Sequence, residues 1–262
     1  MSNAARRRDA SGVQSVDRAI TVLEILARRG EAGVSEVAAE IAVHKSTAFR
    51  LLGALETRGL VEQVGDRGKY RLGIGLIPLA GAVSDRLDVT RQGRRVCERL
   101  AAEVGETVNV AVLQEQWAVN VDQARGPSTV SSHNRVGRLT PLHCTSSGKV
   151  LLAFADRPPA TTLRRFTERT VTDPAALQAE LASVRATGIA RAVEEYEVGL
   201  NAVAAPVRDR FGAVTAAVSI SGPSYRLAPE RMNDVVPALT TAVAEISRRL
   251  GFAGADRLTS SS

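Results

Sequence analysis

Cysteine is scarce in this 262-residue chain: Cys97 and Cys144 are too few for a disulfide framework. Three histidines, with no Cys-x-x-Cys or His-x-x-x-His spacing, give no metal-ligand pattern. No apolar run approaches the roughly 18 to 20 residues that a membrane helix needs. The opening MSNAARRRDASG is basic and lacks the apolar segment of a secretory signal. These absences lead to the expectation of a soluble, cytoplasmic protein with reduced thiols, no membrane partner, no metal and no cofactor. Lysine is also rare, at three residues, so positive charge is carried almost wholly by arginine. A net charge of +6 favours a polyanionic partner. Bulk charge does not say which part binds it: residues 1–75 carry 12 basic and 9 acidic side chains, the remainder 22 and 19.

What is present is helical periodicity in the first third. Val16, Ala19, Ile20, Val22, Leu23, Leu26 and Ala27 recur at helix spacing, with Ser15 as the expected N-cap and Gly30 just past the end. A short helix is expected to open at Ser35, whose hydroxyl can cap it, and to run through Val37, Ala38 and Ile41. A third carries Ala48, Leu51, Leu52 and Leu55, one buried stripe ended by Gly59. At 100° per residue its opposite face holds Ser46, Arg50, Gly53 and Thr57, flanked by Lys45 and Thr47. Small side chains let a helix seat in a major groove, arginine pairs with guanine edges, and serine or threonine reaches phosphates. Residues 60–64 and 69–72 read as strands around Gly65-Asp66-Arg67-Gly68. Helix, short helix, turn, helix and hairpin make a winged helix-turn-helix. The same pattern also fits a winged helix that binds protein.

The DNA-contact residues expected on this reading are Ser35, His44, Lys45, Ser46, Thr47, Arg50 and Thr57, with Arg67 and Lys69 on the wing. Arg6, Arg7 and Arg8, on a flexible arm of residues 1–12, suit the minor groove. For wing and arm alike, solvated charge is the plain alternative. The DNA-binding domain is expected at 13–75 and a connecting helix at 76–90, where Leu76, Leu79, Ala80, Val83 and Leu87 form an apolar stripe that wants a partner. That partner is a second copy or the chain's own domain.

Beyond residue 90 the pattern is mixed. Val96, Leu100, Ala101 and Val104 mark a helix, and 107–113 and 117–122 alternate as a hairpin around Gln114-Glu115-Gln116. Strands are expected at 202–207 and 213–220, a helix from Asp173-Pro174 to about Thr187, and a last helix from Pro229 to about Leu250. The class is α+β. Ser147-Gly148-Lys149-Val150 is no phosphate loop, because His143 and Val150 stand where that motif needs Gly and Ser or Thr. Neighbouring His143 and Cys144 point apart in extended chain, as do Glu194 and Glu195, so no nucleophile-base pair or carboxylate dyad is read and no catalytic residue is assigned.

The words themselves carry more. V-Q-S-V-D-R-A-I-T-V-L-E-I-L-A, then V-S-E-V-A-A-E-I-A-V-H-K-S-T-A-F-R-L-L-G-A-L-E-T-R-G-L-V-E, then K-Y-R-L-G, resemble the IclR family of bacterial transcriptional regulators along the whole DNA-binding region. Ala42 departs from it, standing where members commonly place Gly in the turn. P-L-H-C-T-S-S-G-K, G-I-A, E-E, G-L, A-A-P-V and S-I-S-G-P continue the resemblance through residues 91–250. The closest wording is that of family repressors of allantoin and purine-nitrogen catabolism in actinobacteria.

The resemblance implies a GAF-like effector domain at 91–251 followed by a tail at 252–262: an antiparallel sheet flanked by helices, binding a small metabolite. It also implies a homodimer paired into a tetramer on a DNA operator, and a repressor answering to a polar organic acid or ureide or, alternatively, an activator of a catabolic operon answering to a small organic or aromatic acid. The expected effector residues are Ser146, Ser147 and Gly148, whose N–H groups open a helix, and Ser219 and Ser221, on one strand face. A helix cap and ordinary sheet groups are the alternative for these serines. Ala192 and Ala202 match positions where glyoxylate-responsive relatives carry Asp and Cys, which implies a less polar pocket and a different or larger ligand.

Overall fold

The computed structural model describes residues 3–65, 68–84, 88–127, 135–156 and 162–253, and the side chains of these except 3–13 and 81–84. Contacts divide the chain into two units, Met1–Val83 and Ser84–Ser262.

In the first unit α1 spans Asn3–Arg29, followed by β1 (Ala32–Gly33), α2 (Val34–Glu40), α3 (Lys45–Thr57), β2 (Val61–Val64), β3 (Lys69–Leu72) and α4 (Leu76–Ser84). The run Ala4-Ala5-Arg6-Arg7-Arg8 is made of strong helix formers, so α1 starts well before Ser15, which lies inside it rather than at its N-cap. The inward face of α1 is Val22, Ile25 and Leu26, while Val16 is 58% and Ile20 50% exposed. The apolar pattern was wider than the face this unit buries. These three pack with Val37, Ala38, Ala48, Leu52, Leu55, Val61 and Tyr70, so one small core holds three helices and the hairpin. Gly33, not Ser35, is the N-cap of α2, and the Glu36 carboxylate reaches back to accept from the Gly33 N–H at 2.7 Å. β1, too short to read in sequence, adds a third strand to the hairpin in the order β1-β3-β2. Between α2 and α3 the backbone turns at Ala42 with φ +53°, a left-handed conformation that glycine adopts freely and alanine does not.

In the connector α4 is described as far as Ser84 and α5 from Asp88. Leu79 is 58% exposed; Leu87, and the side chain of Val83, lie outside the described residues.

The second unit comprises α5 (Asp88–Val104), β4 (Thr107–Gln114), β5 (Trp117–Ala124), β6 (Leu139–Pro141), α6 (Ser146–Phe154), α7 (Pro174–Thr187), β7 (Ala190–Val193), β8 (Leu200–Arg208), β9 (Val214–Pro223) and α8 (Pro229–Arg249). Its six strands form one antiparallel sheet in the order β6-β5-β4-β9-β8-β7. Both faces are covered. Val203, Val218 and Ile220 pack with Val96, Leu100, Leu239 and Ile246 of α5 and α8. Ala204 and Ala217, pointing the other way, pack with Val150, Leu151, Leu177 and Leu181 of α6 and α7. Burial on both faces explains why β8 and β9 read as nearly continuous apolar runs rather than an alternation. Asp173 caps α7 through the N–H groups of Ala175 and Ala176, both at 3.2 Å, and Gly188 ends it at φ +72°.

Candidate functional site

Two surfaces have the chemistry of recognition, one in each unit. On α3 the stripe Ala48, Leu52 and Leu55 is buried, so the opposite face is fixed in solvent. Lys45, Ser46, Arg50 and Thr57 are exposed there, and Thr47 and Gly53 are half-buried. His44 supplies the backbone N-cap, with no hydrogen bond from its ring. Among the described residues no carboxylate pairs with Lys45 or Arg50, which leaves both cations available to an anionic partner. The Thr57 hydroxyl donates back to the Gly53 carbonyl at 2.8 Å, so it meets a partner as an acceptor. Ser35 is exposed in the first turn of α2. Lys69 is ion-paired with Glu31. Arg67 and the side chains of Arg6, Arg7 and Arg8 lie outside the described residues. Sequence reasoning passed over Phe49, which is 59% exposed on the same face of α3. An exposed phenylalanine there is the available signal, because aromatic faces meet thymine methyl groups.

In the second unit a small cavity of about 60 Å3 opens between the sheet and the start of α6. Ser146, Ser147, Ala192, Ala202, Ser219 and Ser221 line it together. The register explains the grouping: Ala192 pairs with Ala202, and Ala202 with Ser221, so the three sit side by side across β7, β8 and β9. Ser219 follows two residues along the same strand face.

Gly148 is not in the lining. Its N–H is taken by the Thr145 hydroxyl at 3.2 Å, which leaves Ser146 and Ser147 as the open amides of the first turn. A Cβ at Gly148 would stand 2.6 Å from both the Leu142 Cα and its carbonyl oxygen, so glycine is needed there for close packing rather than for ligand contact.

Several lining residues had no sequence signal, since they come together only through the fold. Asn109 donates to the Ser221 hydroxyl at 3.0 Å and accepts from Gln123 at 3.0 Å, joining β4, β5 and β9. Asn120, Thr140 and Cys144 complete the walls. Burial, with Glu195 nearby, pushes the Cys144 thiol up to about 12, so it is a neutral, inert group and no nucleophile. His143 faces away and meets the Arg164 carbonyl at 2.9 Å.

Two charged residues close the cavity, Arg135 and Glu195. Glu195 pairs through Oε1 with Lys149 at 2.7 Å, and Lys149, 1% exposed, also reaches Glu180 at 2.6 Å and the Arg191 carbonyl at 3.2 Å. Burial raises the Glu195 pKa, and Lys149 pulls against that rise. Its neighbour Glu194 turns elsewhere, accepting from the Gly199 N–H at 2.7 Å.

No helix among the described residues is long and apolar enough to cross a membrane, and no cluster of three or more metal-ligating side chains occurs among them.

Known proteins carry both surfaces together. The family signature described as IclR helix-turn-helix domain matches residues 15–65, and that of the bacterial transcriptional regulator IclR C-terminal matches residues 81–248. The chain is 34% identical over 258 residues to the HTH-type transcriptional regulator KdgR of Escherichia coli, covering 96% of this chain and 98% of that one. It is 35% identical over 248 residues to the HTH-type transcriptional repressor AllR of Klebsiella pneumoniae, covering 92% and 91%. An IclR homologue from Microbacterium hydrocarbonoxydans, solved with 4-hydroxybenzoate, superposes with a TM-score of 0.75 at 30% identity, covering 90% of this chain and 98% of that one. With the helix-turn-helix at one end and the effector-binding fold at the other, the chain belongs to the IclR family: it is a DNA-binding transcriptional regulator with an effector-binding domain, and not an enzyme.

Proposed function

We propose that this protein is a cytoplasmic repressor of a catabolic operon, released from its operator by a small organic acid held in the cavity between the sheet and α6. The observation that carries the reading is the convergence on one cavity of Ser146, Ser147, Ser219 and Ser221 with the paired alanines Ala192 and Ala202. Open amides at a helix start and hydroxyls on the facing strand can together hold an oxyanion. A dimer, paired into a tetramer, sets two copies of α3 in successive major grooves of a pseudo-palindromic site. The exposed Val16 and Ile20 of α1, and Ile77 and Leu79 of α4, support association, because exposed apolar side chains gain by leaving water. The metabolite acts by preferring one arrangement of the DNA-binding units, a coupling of about 1–3 kcal/mol.

The relative named a repressor favours repression. The relative that holds 4-hydroxybenzoate favours a second reading, a regulator answering to an aromatic acid, with Tyr196 of the cavity wall as the stacking partner.

Gel-shift titration tests the main reading. Candidate organic acids are titrated against operator complexes of the wild type and of the double variant Ser219→Ala with Ser221→Ala. The double variant is expected to bind operator normally and to need more ligand for release, each lost hydrogen bond weakening ligand affinity by about 0.5–1.5 kcal/mol. Release at unchanged ligand concentration would refute the pocket.

A further inference from the structure

Each of the two charged residues of the cavity spends one atom on the scaffold and leaves another unused. Arg135 donates through Nη2 to Glu197 at 2.9 Å, yet its Nε is buried with no partner among the described residues. Glu195 gives Oε1 to Lys149, yet its Oε2 is likewise buried with no partner among them. Arg135 is 6% and Glu195 8% exposed, so water does not readily serve either atom. Buried polar atoms are nearly always satisfied, and two orphans of opposite kind on the wall of one cavity mark groups waiting for a ligand.

We infer that the ligand of this cavity is a donor-bearing carboxylic acid, its carboxylate toward Arg135 and a hydroxyl or N–H toward Glu195. The inference rests on the effector reading above and deepens it. A plain carboxylate meets the need of Arg135 and leaves Glu195 orphaned, and turned the other way it sets two like charges together. A neutral polyol serves Glu195 and forgoes the charge-assisted bond to Arg135. Asn109 and Asn120, each both donor and acceptor, line the walls with Thr140, whose hydroxyl donates to the Ala118 carbonyl at 3.1 Å and is left as an acceptor, and suit a ligand with polar groups along its length. Hydroxy acids and ureido acids share this chemistry and differ in the donor atom.

Calorimetric titration of the full-length protein tests it, with gluconate, N-carbamoyl-β-alanine, hexanoate and sorbitol as probes. At least one of the first two is expected to bind about tenfold or more tightly than hexanoate and sorbitol, and the tighter of the two identifies a hydroxyl or an N–H donor. Glu195→Gln is expected to erase that margin and leave hexanoate unchanged, whereas Arg135→Gln weakens all three carboxylates together. Hexanoate binding as tightly as the donor-bearing acids overturns the inference. So does the absence of binding by both of these up to on the order of 10 mM, or a margin that survives Glu195→Gln. If Glu195→Gln does not fold, the wild-type ranking and Arg135→Gln decide. An affinity that responds to Ser219→Ala with Ser221→Ala but to neither charged substitution overturns this inference alone; one that responds to none of them removes the pocket as well.

Discussion

Lys149 and Glu195 form an ion pair sealed in the second unit, Nζ to Oε1 at 2.7 Å, with the lysine 1% exposed. Lys149 sits on α6 and Glu195 just beyond β7, so the pair ties the helix that opens the cavity to the edge of the sheet. Removing one member strands the other. Lys149→Met is expected to cost about 3–5 kcal/mol in urea unfolding, with Glu195 left as an uncompensated buried charge. The pH dependence follows from the direction of the Glu195 shift. Burial already raises its pKa and Lys149 opposes that, so the variant raises it further. A carboxyl whose folded pKa exceeds its unfolded value holds its proton in the native state, and that stability is present below the unfolded pKa and lost as pH rises through the folded one. The variant is therefore expected to suffer less at pH 5 than at pH 8, and an equal deficit at both would contradict this account.

Ala42 is a cost the DNA-binding unit carries in its turn, at φ +53° and exposed to solvent. Ala42→Gly removes the Cβ strain, partly offset by a more flexible unfolded chain, for a net gain of about 0.5–1 kcal/mol. Thermal melting checks it: a lower midpoint for the glycine variant would mean that the turn is not strained.

The solvent face of α3 is expected to divide into readers and anchors. Arg50→Ala is expected to weaken operator binding by about 1–3 kcal/mol and to relax preference at one base pair. Phe49→Ala is expected to cost on the order of 1 kcal/mol, confined to sequences with a thymine at the contacted position. Lys45→Ala should weaken all sequences alike and flatten the dependence on salt. Binding measured on operator and on scrambled DNA at two salt concentrations separates the three, and a uniform loss for Arg50→Ala would reassign it to the backbone.

Cys144 should resist alkylation. With its thiol pushed up to about 12, roughly one molecule in ten thousand is ionised at pH 8. Iodoacetamide is expected to label it only after unfolding, and the native rate should climb with pH without a plateau below pH 10. Prompt native labelling at neutral pH would show that the thiol is not buried as described.

The first unit was largely legible because its information is local. The helical stripes, the glycine that ends α3 and the Gly-rich hairpin turn each lie within a few residues of what they specify. Caps were less legible: Ser15 and Ser35 have the right side chain, but α1 extends upstream of one and α2 opens two residues before the other, at Gly33. In the second unit the pattern was enough for the β4–β5 hairpin and for the helices at Pro174 and Pro229. Arg135, Asn109 and Glu195 were invisible as neighbours, because they are brought to one cavity by strands far apart in sequence. Gly148, expected beside the ligand, lies outside the lining, and what calls for a glycine there is the close approach of the Leu142 backbone.

Ala192 and Ala202 face each other on adjacent strands at the floor of the cavity, where their methyl groups take no part in the backbone ladder. The ladder is indifferent to what those positions carry, so size and polarity can be added there one side chain at a time while the sheet keeps its hydrogen bonds. Such a floor can be retuned without being rebuilt. On the proposed function, changes at these two residues are the expected way to hand the same scaffold and operator from one metabolite to another.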